Sequence, residues 1–219
     1  MSNLYVLMND YSSSLLPRYL NGIIDSRKQV SDKWEYESSK YSFPYDLRDS
    51  ECPEKLFLLC KGNIGALAFS FYHHGVAQIV SSDVSDFIKS KTVSHHYSRS
   101  LEATSIKDGH TLRDNLQYYY FSGKDKFVDF SHSSLEEDKV GNLIPHNLVL
   151  SDKCQEYDLF TIDETLLAGF LFVSESAAEY FRNIKGIKVV AVQDAFKHYC
   201  IDYKYDITSN RKVVRRKLP

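Results

Sequence analysis

Gly169 to Gln193 reads GFLFVSESAAEYFRNIKGIKVVAVQ, and the order strand, helix, tight turn, strand is written in it. Phe170 to Val173 is an uncharged aromatic and aliphatic run, which is a short β signal. Ser174 can open a helix, and Ser176 with Glu179 has the spacing of a capping box, in which hydroxyl and carboxylate satisfy each other's orphan N–H groups. Ala177, Tyr180, Phe181 and Ile184 then recur at helical spacing and are expected to face a core. Gly186 is expected to end the helix, because a left-handed backbone costs glycine nothing, and Ile187 to Val192 returns as a β-branched strand.

The same unit occurs earlier in the chain. Ile79 to Lys89 (IVSSDVSDFIK) sets against Phe172 to Arg182 (FVSESAAEYFR), 93 positions later. Valine and serine coincide at Val80/Val173 and Ser81/Ser174. Asp86/Glu179, Phe87/Tyr180, Ile88/Phe181 and Lys89/Arg182 agree in chemical class. A strand that hands directly to a helix through Val-Ser is a restrictive arrangement, so the match reads as a structural echo. Two copies do not make a solenoid, which needs about three.

Outward from these units, strands dominate. Leu4 to Met8 and Lys55 to Cys60 are strand candidates, and Ala66 to Tyr72 is a further apolar run. Leu15 to Ile24 reads as a short helix or loop interrupted by Pro17. Residues 92 to 106 alternate loosely, and Asp108-Gly109 is a hairpin signal. Leu116 to Phe121 (LQYYYF) reads as an exposed aromatic strand, and Phe127 to Phe130 repeats the alternation after a turn at Gly123-Lys124. Leu135 to Lys139 reads as a solvated charged segment, and Tyr199 to Tyr205 as a last strand. The fold class is therefore α+β, a β-rich core with a few capped helices and two echoing strand-helix units. The expected organisation is an N-terminal β-rich segment over 1–70 with a long irregular insertion, an α+β core over 71–207, and a disordered basic tail over 208–219. The insertion, 25 to 55, includes Trp34-Glu35-Tyr36 and is too long for a plain connection. Irregular segments of that length often carry binding.

With 219 residues the chain can bury a core without staples. It has no run of 18 uncharged apolar residues, which leaves no membrane-spanning helix, and its first residues lack a signal-peptide pattern, so a cytoplasmic location is expected. Cys52, Cys60, Cys154 and Cys200 show no zinc spacing and are expected as reduced thiols. The net charge of −2 hides an asymmetry: Arg211, Lys212, Arg215, Arg216 and Lys217 crowd the C-terminus with no acid among them. Without those five the body carries 22 bases against 29 acids, near −7, which disfavours direct nucleic-acid binding and favours a basic partner.

No nucleophile elbow, phosphate loop, dinucleotide fingerprint or H-E-x-x-H is present. His73-His74 and His95-His96 are adjacent pairs whose members point to opposite faces of a strand, and His110, His132, His146 and His198 stand alone, so no metal or cofactor is expected. Tyr118 to Tyr120 allows core packing, a protein interface, or stacking on bases, although interleaved cations are missing. The alternative function from another class is a small nucleic-acid-processing or hydrolytic enzyme using the histidines and the basic tail.

Several of these segments, in this order, resemble bacterial immunity proteins found beside polymorphic toxins, of the immunity protein 43 and immunity protein 11 families. The resemblance rests on Leu4-Tyr5-Val6-Leu7, on Ile79-Val80-Ser81 leading into a helix, and on Tyr118-Tyr119-Tyr120-Phe121. It continues through Phe127-Val128-Asp129-Phe130-Ser131, Asp158-Leu159-Phe160, and Phe172-Val173-Ser174-Glu175 with its helix running to Gly186-Ile187. It implies a cytoplasmic antitoxin that binds a cognate effector domain, blocks its active site or substrate access, and has no catalytic residues of its own. An acidic, tyrosine-rich chain suits a cationic toxin. The candidate contacts are Asp49, Glu51 and Glu54, then Glu136, Glu137 and Asp138, with Tyr118 and Tyr120 as aromatic anchors.

Overall fold

A computed structural model of the protein describes residues 3–18, 20, 22–30, 53–61, 67–122 and 125–211. Asp49, Glu51, Cys52, the Trp34-Glu35-Tyr36 segment, the Gly123-Lys124 turn and residues 212–219 of the tail lie outside the described residues.

Strand β1 (Leu4–Asn9) is the middle of a four-stranded sheet. The order is β10 (Leu159–Phe160), β11 (Leu171–Ser174), β1, β12 (Ile187–Ala191), and every pairing is antiparallel. Val6 lies opposite both Phe172 and Val190. The uninterrupted apolar run of β1 follows from burial on both faces: Val6 and Met8 enter one hydrophobic cluster and Leu7 the other. The second sheet has six strands, in the order β2 (Gly22–Asp25), β3 (Lys55–Cys60), β6 (His96–Ser105), β7 (Thr111–Phe121), β5 (Ala77–Ser81), β4 (Phe71–His74). Only β3 and β6 run parallel, and the chain between them passes through β4, β5 and a helix. The first 60 residues thus give β1 to one sheet and β2 and β3 to the other.

The two sheets meet at Asn9. Its side-chain amide donates to the His73 carbonyl at 3.0 Å and accepts the His73 N–H at 2.8 Å, so it continues the ladder from the end of β1 to the edge strand β4. One cluster then spans both sheets, with Leu7, Leu171 and Val173 packed among Phe71, Val80 and Tyr119.

Helices α1 (Ser82–Lys89) and α2 (Glu175–Arg182) cover this junction, and they are the echoing units. Ser81 and Ser174 hold nearly the same N-cap backbone, φ −71° and ψ 163° against φ −67° and ψ 164°. Their equivalent residues also meet: the Phe87 and Tyr180 rings stack 3.7 Å apart at 7°, and the Tyr180 hydroxyl donates to the Asp83 carbonyl. The arrangement recurs a third time, where β12 hands through Ala191 to α3 (Val192–Asp202).

Local expectations needed correction in several places. The α2 cap is Ser174, whose hydroxyl accepts from the Ala177 N–H at 3.4 Å, and Ser176 instead donates to Asp158. With no loop after β11 the helix starts one residue before the Ser176-Glu179 box. Gly186 does adopt φ +90°, but beyond a turn that follows the end of α2 at Arg182. Phe127 to Phe130 is not a strand: Val128 makes a single bridge to Leu150, and the Asp129 carboxylate captures the Ser131 and His132 N–H groups, turning the chain. Leu135 to Lys139 is not merely solvated, because β8 (Ser134–Glu137) forms a hairpin with β9 (Leu143–Asn147) that buries Ile144. Tyr199 to Tyr205 is largely helical: Tyr199 and Tyr203, four apart around the end of α3, stack at 4.9 Å. The tail, expected to be disordered from 208, begins with one more short helix, α4 (Ile207–Asn210), capped by the Asp206 carboxylate on the Thr208 N–H.

Candidate partner-binding surface

Strand β7 lies inside the six-stranded sheet, and its second half, Leu116 to Phe121, is buried or half-buried throughout. Tyr118 and Tyr120 do share a face, but that face is covered. Tyr118 is 0% exposed among Ile79, Tyr97 and Leu101, which removes it as a surface anchor. Tyr120 is half-buried and stacks on Tyr97 at 5.2 Å, with the Arg99 guanidinium over the Tyr97 ring.

The three acids of the β8 end are brought together, with different roles. Asp138 is 1% exposed and cannot reach a partner. One carboxylate oxygen accepts the Val140 and Asn142 N–H groups, both at 2.9 Å, and the other accepts the Asn142 amide and the Tyr205 hydroxyl, both at 3.0 Å. Burial works to raise its pKa, yet these donors together hold it down at about 2. Asp138 therefore closes the β8–β9 turn and ties it to the chain after α3. Glu136 keeps partial exposure and accepts from three nitrogens: Arg211 Nε at 2.7 Å, Arg211 Nη2 at 3.3 Å and His146 Nε2 at 2.8 Å. Arg211, then His146, keep its carboxyl below the usual range. Glu137 is exposed on the opposite face of the strand, and Glu54 is exposed just before β3. Beside them, α3 and α4 border a shallow groove of about 430 Å³ that includes His146, Phe196, Cys200, Ile201 and Ile207, with Ile201 64% exposed.

The clasp of Arg211 on Glu136 spans 75 positions, and nothing in the sequence announces it beyond the opposite charges of the two segments. Several other histidines have polar or ring partners. His110 meets Asp108 at 2.5 Å, His132 meets Asp129 at 2.7 Å, and His95 meets the Ser122 hydroxyl at 2.7 Å. His73 is buried, stacked on Phe170 at 4.0 Å. Among the described residues no group of three His, Cys, Asp or Glu side chains could hold a metal ion. Cys60, Cys154 and Cys200 are free thiols, and burial pushes Cys60 up to about 12 and Cys154 to about 11, which keeps both protonated. No helix among the described residues is long and apolar enough to cross a membrane.

These features give a surface on which acidic side chains lie beside an apolar groove. The model of the Immunity protein 43 family matches residues 8–207. The chain belongs to this family. A comparison with curated proteins found none that matches. Membership in the Immunity protein 43 family makes the chain an immunity protein and implies a cognate toxin as its partner. The matched span runs from the end of β1 to the start of α4, so β2 to β12 and both echoing units fall within the family's pattern, while Leu4 to Leu7 precede it.

Proposed function

We propose that this immunity protein neutralises a cognate toxin domain by holding it, so that the toxin's active site or the path of its substrate is blocked, with no turnover by the immunity protein itself. The family match over residues 8–207 carries the reading. Its electrostatic complement is the acidic body, near −7 without the five C-terminal cations, which favours a basic toxin over a nucleic acid. Such a pair would meet in the cytoplasm, within a polymorphic toxin system of the contact-dependent kind.

The proposed contacts are Glu54, Glu136 and Glu137, with Asp49 and Glu51 from outside the described residues and the accessible edge of Tyr120. An interface of ordinary size takes its energy from a few desolvated anchors, with charges serving mainly orientation and association rate. Glu54→Lys and Glu137→Lys are each expected to weaken toxin binding about tenfold, chiefly through slower association, with a larger effect at low salt. Calorimetry and stopped-flow association measure this. Unchanged rate and affinity in both variants would place the interface elsewhere.

A further inference from the structure

Strand β12 ends its sheet, with β1 on one side only. Which of its backbone groups β1 takes follows from one bond just beyond the ladder. The Asp10 N–H donates to the Gly186 carbonyl at 2.9 Å, and continuing that register in steps of two gives β1 the N–H and C=O groups of Lys188 and Val190. The groups of Ile187, Val189 and Ala191 therefore point out of the sheet. Among the described residues nothing accepts from their three N–H groups. Both faces of the strand are covered: Ile187 and Val189 pack with Ala177 and Phe181 of α2, and Val190 with Ala195 of α3. A lysine on an edge strand commonly guards it against pairing with another chain. Here that guard is committed elsewhere, because the Lys188 ammonium donates to both carboxylate oxygens of Asp202, at 2.8 and 3.0 Å.

We propose that β12 pairs antiparallel with β12 of a second copy of this chain, about a two-fold axis through Val189, so that the two four-stranded sheets become one continuous sheet. The outward groups fall symmetrically about Val189, and the axis therefore sets donors against acceptors. Val189 of each copy exchanges both bonds with Val189 of the other, and the Ala191 N–H of each meets the Ile187 carbonyl of the other. Lys188 comes opposite Val190, so no like charges face each other directly. A strand of a basic toxin fits this edge less well. Lys185 stands just before β12, and the carboxylate of Asp202 is already taken by Lys188. Two strands of five residues make a small interface, so the association belongs at the weak end of the protein–protein range.

Amide hydrogen exchange on the full-length chain at about 10 µM and about 1 mM, beside sedimentation equilibrium, tests this. The Val189 and Ala191 amides are expected to exchange about fivefold more slowly at the higher concentration, as the apparent mass rises toward that of a dimer. The Lys188 and Val190 amides, held by β1 in either state, should keep their rates. Val189→Pro removes the central outward N–H and no bond to β1, so the variant should fold and stay monomeric at both concentrations. Should it fail to fold, the wild-type series decides alone. A wild-type chain that stays monomeric at about 1 mM would overturn the proposal, and so would a dimer in which the Val189 amide gains no protection. A Val189→Pro variant that associates as strongly as wild type would also overturn it. Protection of the Val189 amide that arises only on adding the cognate toxin would give the edge to the toxin and overturn the proposal as well.

Discussion

Replacing Asn9 with Leu is expected to destabilise the protein by about 3 kcal/mol, because it leaves two buried backbone groups of His73 without partners, each worth roughly 1–3 kcal/mol. Leucine is close to asparagine in shape, so lost volume is a minor part of the effect. The two contacts are the N–H of His73 at 2.8 Å and its carbonyl at 3.0 Å, and Asn9 itself is 1% exposed. Water cannot replace the amide there. Since Asn9 joins one sheet to the other, the loss falls on the shared cluster of Leu7, Phe71 and Phe181. Urea denaturation of wild type and variant measures it, read from the midpoint at constant slope. A change under about 0.5 kcal/mol would mean that the sheets are held together by apolar packing alone.

Stability should also fall as the medium is acidified from pH 7 to 5, and His73 is the main reason. Burial drives its imidazole down to about 4, partly opposed by the contact with the Gln78 amide oxygen at 3.3 Å. In the unfolded chain an imidazole titrates near 6.5. Between these values the unfolded state binds a proton that the folded state refuses, so stability rises with pH and is lost as pH falls through the window. The full difference corresponds to about 3 kcal/mol, of which about 2 kcal/mol disappears between pH 7 and 5. His74, also lowered by burial, adds in the same direction. Carboxylates held near 2, such as Glu102 and Asp129, act through the opposite kind of shift: their stabilisation is present above the unfolded values and is lost only at lower pH. His73→Phe keeps a ring against Phe170 and removes the titration, so it should flatten the profile between pH 5 and 7. A profile as steep as wild type would contradict this account of His73.

What could be read from the sequence follows one physical division. Ser81 and Ser174, the strands before them and the helices after them were legible because each depends on neighbours within a few residues. The echo extended that reach, since Phe87 and Tyr180 occupy equivalent positions and touch in the fold. Tyr118 was misread because its exposure depends on what covers the second face of β7, and that cover comes from distant segments that include Leu16, Leu20 and Phe69. The β8–β9 hairpin was missed because its acids look solvated until Tyr205 and Arg211 arrive from about 70 positions away, at Asp138 and Glu136. Tyr199 to Tyr205 was assigned to a strand, and helical stacking of Tyr199 with Tyr203 decided otherwise. For the candidate surface, residue types were legible and roles were not: of the three acids near β8, one is a buried strut, one is clasped by Arg211, and Glu137 is exposed.

Titrating the cognate toxin's activity with increasing amounts of this protein probes the central reading most directly. A protein that works by occupying its target should abolish the activity along a straight line ending at one equivalent, and a one-to-one complex should be recovered from the mixture. Loss of toxin activity at a small fraction of an equivalent, continuing with time and without a complex, would show that the chain transforms something and would contradict the account.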